Sequence, residues 1–191
     1  MASTYTGLGV QLMTTGEKAG TWGTLTNTNW NIIEQISGGY LAVDINGGAQ
    51  TTNLAVADGT SGDTNQVSHR VIEFTGAITG NQIVTIPLDV QTFYILKNTT
   101  SDGTNGYTVQ FKYVSGSGGS VTFAGGDRGT KIVYATANDG TNPDLVDATN
   151  ALSLTSPSVI TGINDVIGNE LIKVTATGSN TTYTDVDTDA A

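Results

Sequence analysis

The sequence predicts a mainly β protein: an antiparallel β-sandwich or barrel carrying an N-terminal extended arm and one short helix. Three observations point there. Charged residues are only 13% of the 191-residue chain, which also holds 25 glycines, and abundant Thr, Val and Gly suit turn-rich β structure better than helix or disorder. From Tyr40 onward, seven or so short apolar runs recur at roughly ten-residue spacing, separated by Gly/Asn/Asp turns. One stretch alone, Gly16 to Gly39 (GEKAGTWGTLTNTNWNIIEQISGG), combines glycine, tryptophan and a helical apolar pattern.

The arm comes first. Leu8, Val10 and Leu12 alternate as in a strand, yet Gly7 and Gly9 weaken it as a free-standing one. Residues 1–15 therefore read as an extended arm that adds to a neighbouring sheet or lies along a partner, and that orders in the assembly. Gly16, Gly20 and Gly23 then surround Trp22, allowing sharp turns and close backbone approach. A tryptophan in such a loop serves as a core plug or as an interface anchor, and an arm with little core of its own favours the anchor.

The helix rests on Trp30 and Ile33 at i,i+3 and Ile32 and Ile36 at i,i+4, with Glu34 and Gln35 read as outward-facing. Thr28 or Asn27 is the expected cap. Gly38 and Gly39 stop the helix in the left-handed conformation. A helix of about ten residues is too short to stand alone in water, so its Trp/Ile face must pack against its own domain, a sister chain or a larger assembly. Leu8, Leu12, Trp22, Trp30, Ile33 and Ile36 are the candidate interface residues.

The opening of the chain resembles the N-terminal region of tail-fibre and related virion proteins of marine bacteriophages. The resemblance is carried by Leu8-Gly9-Val10-Gln11-Leu12-Met13, by Gly16-Glu17 with Gly20-Thr21-Trp22-Gly23, and by Thr26-Asn27-Thr28-Asn29. It implies a non-enzymatic homotrimer, a tail-fibre subunit whose N-terminal part attaches to other phage tail proteins (an adaptor or nozzle) and supports host adsorption. It implies residence in the virion after assembly in the host bacterial cytoplasm, with host surface glycans met through more distal parts.

From Tyr40 the apolar period changes. Leu41 to Val43, a turn at Asn46-Gly47-Gly48, and Thr51 to Ala57 come first, and Asp58-Gly59 opens a loop of turn formers. His69 to Thr75 follows, with Val71 and Phe74 on one face and Ile72 on the other. Ile83 to Ile86 ends at Pro87. Thr92 to Lys97 (TFYILK) is the most hydrophobic run and is expected to be buried on both faces. Tyr107 to Tyr113 alternates, Val121 to Phe123 follows, and Lys131 to Ala135 is the last strong strand. Residues 1–39 thus read as attachment arm and helix, 40–146 as a β-sandwich, and 147–191 as a linker and the start of a fibre shaft or a flexible tail. Within that tail, Gly162 to Val174 reads as a strand–turn–strand unit resembling fibre shaft segments, and TGSNTTYTDVDTDAA has too little apolar content to close a core.

Several functions are disfavoured. A formal charge of −10 with seven Lys and Arg repels nucleic acid and an anionic membrane surface. The absence of cysteine removes disulfides and thiolate metal sites. No run approaches the roughly 18 apolar residues a membrane helix needs, and the N-terminus lacks signal-peptide features. His69 is the single histidine; it reads as a surface or edge residue, without partners for a triad or metal site. A glycosidase needs two carboxyls about 5–9 Å apart on rigid elements. Glu73 lies in a strand, but Asp58, Asp63, Asp102, Asp127, Asp139 and Asp144 sit in turns that favour Asp for backbone bonding alone.

Asp185, Asp187 and Asp189 alternate as in a calcium loop but lack its central Gly and closing Glu. No phosphate-loop spacing surrounds Lys18. No catalytic, cofactor or metal residue is expected. The alternatives to a fibre subunit are a capsid decoration or neck protein of the same fold, or a carbohydrate-binding module, which an exposed aromatic platform would distinguish.

Overall fold

The structure, a computed structural model, describes residues 4–103 and 105–150 and the backbone of 172–177 and 180–185. The chain forms two units, 1–152 and 153–191. In chain order the first holds β1 (Thr4–Tyr5), β2 (Gln11–Leu12), α1 (Trp22–Gly38), β3 (Tyr40–Asp44), β4 (Gln50–Asn53), a 3-10 turn at Gln66–Ser68, β5 (Val71–Thr75), β6 (Gln82–Ile86), β7 (Thr92–Asn98), β8 (Val109–Tyr113), β9 (Val121–Phe123), β10 (Thr130–Ala135) and β11 (Leu145–Asp147).

A five-stranded sheet of order β11-β10-β7-β5-β3 and a four-stranded sheet of order β4-β6-β8-β9 enclose one apolar core. The mainly β two-sheet architecture with one helix agrees with the expectation, and no closed barrel forms. Strand direction is mixed. β3–β5, β5–β7, β4–β6 and β6–β8 are parallel, whereas β7–β10, β10–β11 and β8–β9 are antiparallel. From β3 to β8 the chain therefore alternates between sheets, and each of β3 to β6 pairs with the strand two places later. Three stacked coils result, and the antiparallel strands follow them.

Backbone pairing continues round the corner between the sheets. Ile45 N–H donates to Thr75 and Gly47 N–H to Ala77; one coil on, Ile78 N–H donates to Ser101. The corner is tight. Gly76 has φ +106°, and a Cβ there would lie 2.4 Å from Asp44 Oδ1.

The core places Phe74 and Tyr94 of one sheet against Phe111 and Phe123 of the other. Tyr94 meets Phe111 edge-on at 5.6 Å, and Phe74 meets Phe123 edge-on at 6.3 Å. Such pairs add about 0.5–1.5 kcal/mol each beyond their buried area. Ile72 and Phe74 both point inward and are fully buried, so Ile72 shares the face of Phe74 and Val71 turns outward, the reverse of the expected assignment. β7 is likewise one-sided: Tyr94 and Leu96 are buried while Phe93 and Ile95 face out.

The helix is longer than expected, 17 residues, and begins at Trp22. Thr21 is its N-cap, without a side-chain cap bond, so neither Thr28 nor Asn27 caps it. Gly39 ends it with φ −64° and ψ 145°, extended instead of left-handed. Gly16 and Gly20 take positive φ, as the turn reading requires.

In the second unit β12 (Ile172–Thr177) pairs antiparallel with β13 (Asn180–Asp185). Part of TGSNTTYTDVDTDAA, read as too poor in apolar residues to close a core, is thus a strand. The expected strand–turn–strand unit at 162–174 lies largely outside the described residues, as do positions 186–189 of the acidic run.

Candidate interaction surface

The arm is not extended. β1 and β2 pair antiparallel, with Tyr5 opposite Gln11, and the arm lies on its own chain. Asn65 Nδ2 donates to the Leu8 carbonyl at 2.9 Å, and Gly59 N–H donates to the Gly9 carbonyl at 2.8 Å. Asn29, on the helix, accepts from Gln11 N–H at 3.0 Å and donates to the Gln11 carbonyl at 2.9 Å. The arm therefore orders within one chain. Polar side chains from the helix and the β4–β5 loop fasten it, which an apolar-pattern reading overlooks.

Gln35 fastens the helix in turn. Read as outward, it is buried. Its Oε1 accepts from Gly62 N–H at 2.7 Å, while Nε2 lies 2.9 Å from the Asn65 carbonyl and 3.0 Å from His69 Nδ1. An amide offers one acceptor group and two donors, which lets one side chain serve loop backbone in both directions. His69, expected at the surface, is buried in this cluster, 3.9 Å from Asp63. Neighbouring Asp and Ser or Asn residues give no signal for such a buried amide, because 58–65 reads as an ordinary loop.

With Ile32 and Gln35 turned inward, the opposite side of the helix is open. Trp22 is 65% and Trp30 62% exposed; Ile33 and, on the arm, Leu12 and Met13 are exposed as well. Trp22, Trp30, Ile33 and Leu12 thus lie at the surface, whereas Leu8 packs against the chain's own core and Ile36 is half-buried. Trp30, Ile33, Gly39, Tyr40 and His69 line an open groove of about 760 Å³ between the helix and the start of β3.

Tyr40 leads from this groove onto the outward face of the five-stranded sheet. Register places Tyr40 opposite Val71, Val71 opposite Ile95, and Ile95 opposite Ile132. In the next row Phe93 faces Tyr134, with rings 4.9 Å apart, and Tyr134 faces Val146. Beside them Glu73 accepts from the Tyr40 and Thr99 hydroxyls and pairs with Lys97 at 3.2 Å. The Tyr40 hydroxyl, then Thr99 and Lys97, hold the Glu73 carboxyl below its ordinary value, and the same bond raises the Tyr40 phenol.

Among the described residues no group of three or more His, Cys, Asp or Glu could hold a metal, and no helix is long and apolar enough to cross a membrane. No protein-family model, curated protein or solved structure matches the chain.

Proposed function

We propose that this chain is a non-enzymatic structural subunit of a phage virion, a tail-fibre or tail-associated protein that works as a homo-oligomer. In this reading the N-terminal helix docks on another tail protein. The observation that carries it is the exposure of Trp22 and Trp30 on a helix that Gln35 and Asn29 hold in place. Tryptophan is enriched among residues that dominate binding energy, and holding the helix beforehand lowers the ordering cost of docking. The resemblance of residues 8–29 to virion attachment regions supports the same assignment.

The test is a Trp22→Ala, Trp30→Ala double variant compared with the wild-type chain in particle assembly. Both side chains are exposed, so the variant is expected to fold with an unchanged circular dichroism spectrum and to fail to incorporate into particles. Light scattering of the wild type should give a mass near three times 19.7 kDa. Normal incorporation of the variant would refute the docking role, and a monomer at all concentrations would refute the homo-oligomer.

A further inference from the structure

The outward face of the five-stranded sheet calls for a second explanation. Parallel sheets are normally covered on both faces, and here β3, β5 and β7 are parallel yet buried on one side only. The open side of the sheet carries Tyr40 (55% exposed), Phe93 (48%) and Ile95 on these strands and Ile132 and Val146 on the neighbouring β10 and β11. Contiguous apolar patches of this kind mark interaction sites.

We propose that this face is where copies of the chain pack on one another, which deepens the homo-oligomer reading above and rests on it. Two arguments select a second copy. The first is charge. On a chain of net charge −10, Asp44 and Glu73 on this face are balanced by Lys97, paired with Glu73, and by Arg70, which donates to the Phe93 carbonyl. Copies of an acidic protein repel least where each is locally neutral, so three such mixed-sign faces can meet about one threefold axis at little electrostatic cost.

The second argument is area. The half-exposed Tyr40 and Phe93 contribute roughly 100 Å² each, and the exposed Ile95, Ile132 and Val146 bring the apolar surface of the face to on the order of 400 Å². One side of a stable interface is about 800 Å², somewhat over half of it apolar, so the two quantities match. A glycan fits less well, because Val71, Ile95, Ile132 and Val146 surround the aromatic pair with side chains that offer no hydrogen bonds.

The test is the mass of the full chain by light scattering, for wild type, Ile132→Glu and Trp30→Ala. The expected result is an oligomeric wild type, loss of the oligomer in Ile132→Glu, and retention in Trp30→Ala. A monomeric wild type overturns both this proposal and the homo-oligomer reading. An oligomer that survives Ile132→Glu but dissolves in Trp30→Ala overturns the sheet-face proposal alone. A wild-type monomer that binds a glycan array, with binding lost in Phe93→Ser, reassigns the face to carbohydrate. Should Ile132→Glu lose its near-ultraviolet dichroism, Val146→Cys decides. It supplies the sole thiol of a cysteine-free chain, which should resist maleimide in the concentrated protein and react on dilution. Equal reactivity at both concentrations overturns the proposal.

Discussion

Asn29 holds Gln11 from both sides, accepting its N–H at 3.0 Å and donating to its carbonyl at 2.9 Å. A strand neighbour would satisfy the same two groups; here one helical side chain does so. Asn29→Ala should leave the β core intact and release residues 4–12. Each net hydrogen bond is worth about 0.5–1.5 kcal/mol, so the arm should gain hydrogen exchange and protease sensitivity corresponding to about 1–3 kcal/mol. Unchanged protection of the Gln11 amide would show that Asn65 and the β1–β2 pair suffice.

Gln35 is the stronger fastening, because its amide is buried and bonded on both ends. Gln35→Leu keeps the size but removes the acceptor of Gly62 N–H and one donor to the Asn65 carbonyl, which keeps the Ser68 hydroxyl. Two net hydrogen bonds at about 0.5–1.5 kcal/mol each amount to about 1–3 kcal/mol. Denaturant unfolding should show a loss of that size, and Trp30 fluorescence should broaden as the helix loosens. Stability within a few tenths of wild type would refute this role.

Glu73 predicts an acid-side effect. Its folded pKa is lowered, chiefly by the Tyr40 hydroxyl and then by Thr99 and Lys97. A lowered folded value means stability that is present above the unfolded pKa, about 4.3, and lost as pH falls through the folded one. Thermal midpoints measured from pH 6 downward should fall below about pH 4.3, and Glu73→Gln should flatten that fall. An identical slope in the variant would remove Glu73 as a source.

Gly76 sits where two coils turn the corner, at φ +106° with Asp44 and Asn46 against it. Gly76→Ala forces a disfavoured backbone and a clash together. Strain at such positions runs to about 1–3 kcal/mol, so the variant should be destabilised by at least that much in urea. Gly126 has φ +84° but open space around its Cβ position; Gly126→Ala should cost less, and the reverse order would contradict the corner argument.

The strands were legible because alternation marks a one-sided strand whichever way its neighbour runs. That same property hid the coils. A parallel sheet buried on both faces reads as a continuous apolar run, but β5 and β7 bury Ile72, Phe74, Tyr94, Leu96 and Asn98, all on one face, and so alternate like hairpin strands. Direction depends on which strand pairs with which, and the turns at Asn46-Gly47 and Thr79-Gly80 look alike whether a chain doubles back or crosses to a second sheet. On the surface, the single Trp/Ile face expected of the helix is split, with Ile32 inward and Trp30 and Ile33 outward, and Trp22, expected in a loop, begins the helix. Leu8 was misread because its environment is set by Asn65, far along the chain. The sheet face was missed because Phe93 and Ile95, one place out of step with Tyr94 and Leu96, look like core until the inward set is known.

The antiparallel strands that follow the coils also limit how far this architecture can grow. A fourth coil would have to lie parallel to β7 in one sheet and β8 in the other, but β10 and β9 occupy those positions in the opposite sense. Stacked coils offer an open backbone edge that invites end-to-end polymerisation. By turning the chain round at its last rung, this protein removes the parallel template at one end. Among the described residues its stack is thus a counted length of three coils.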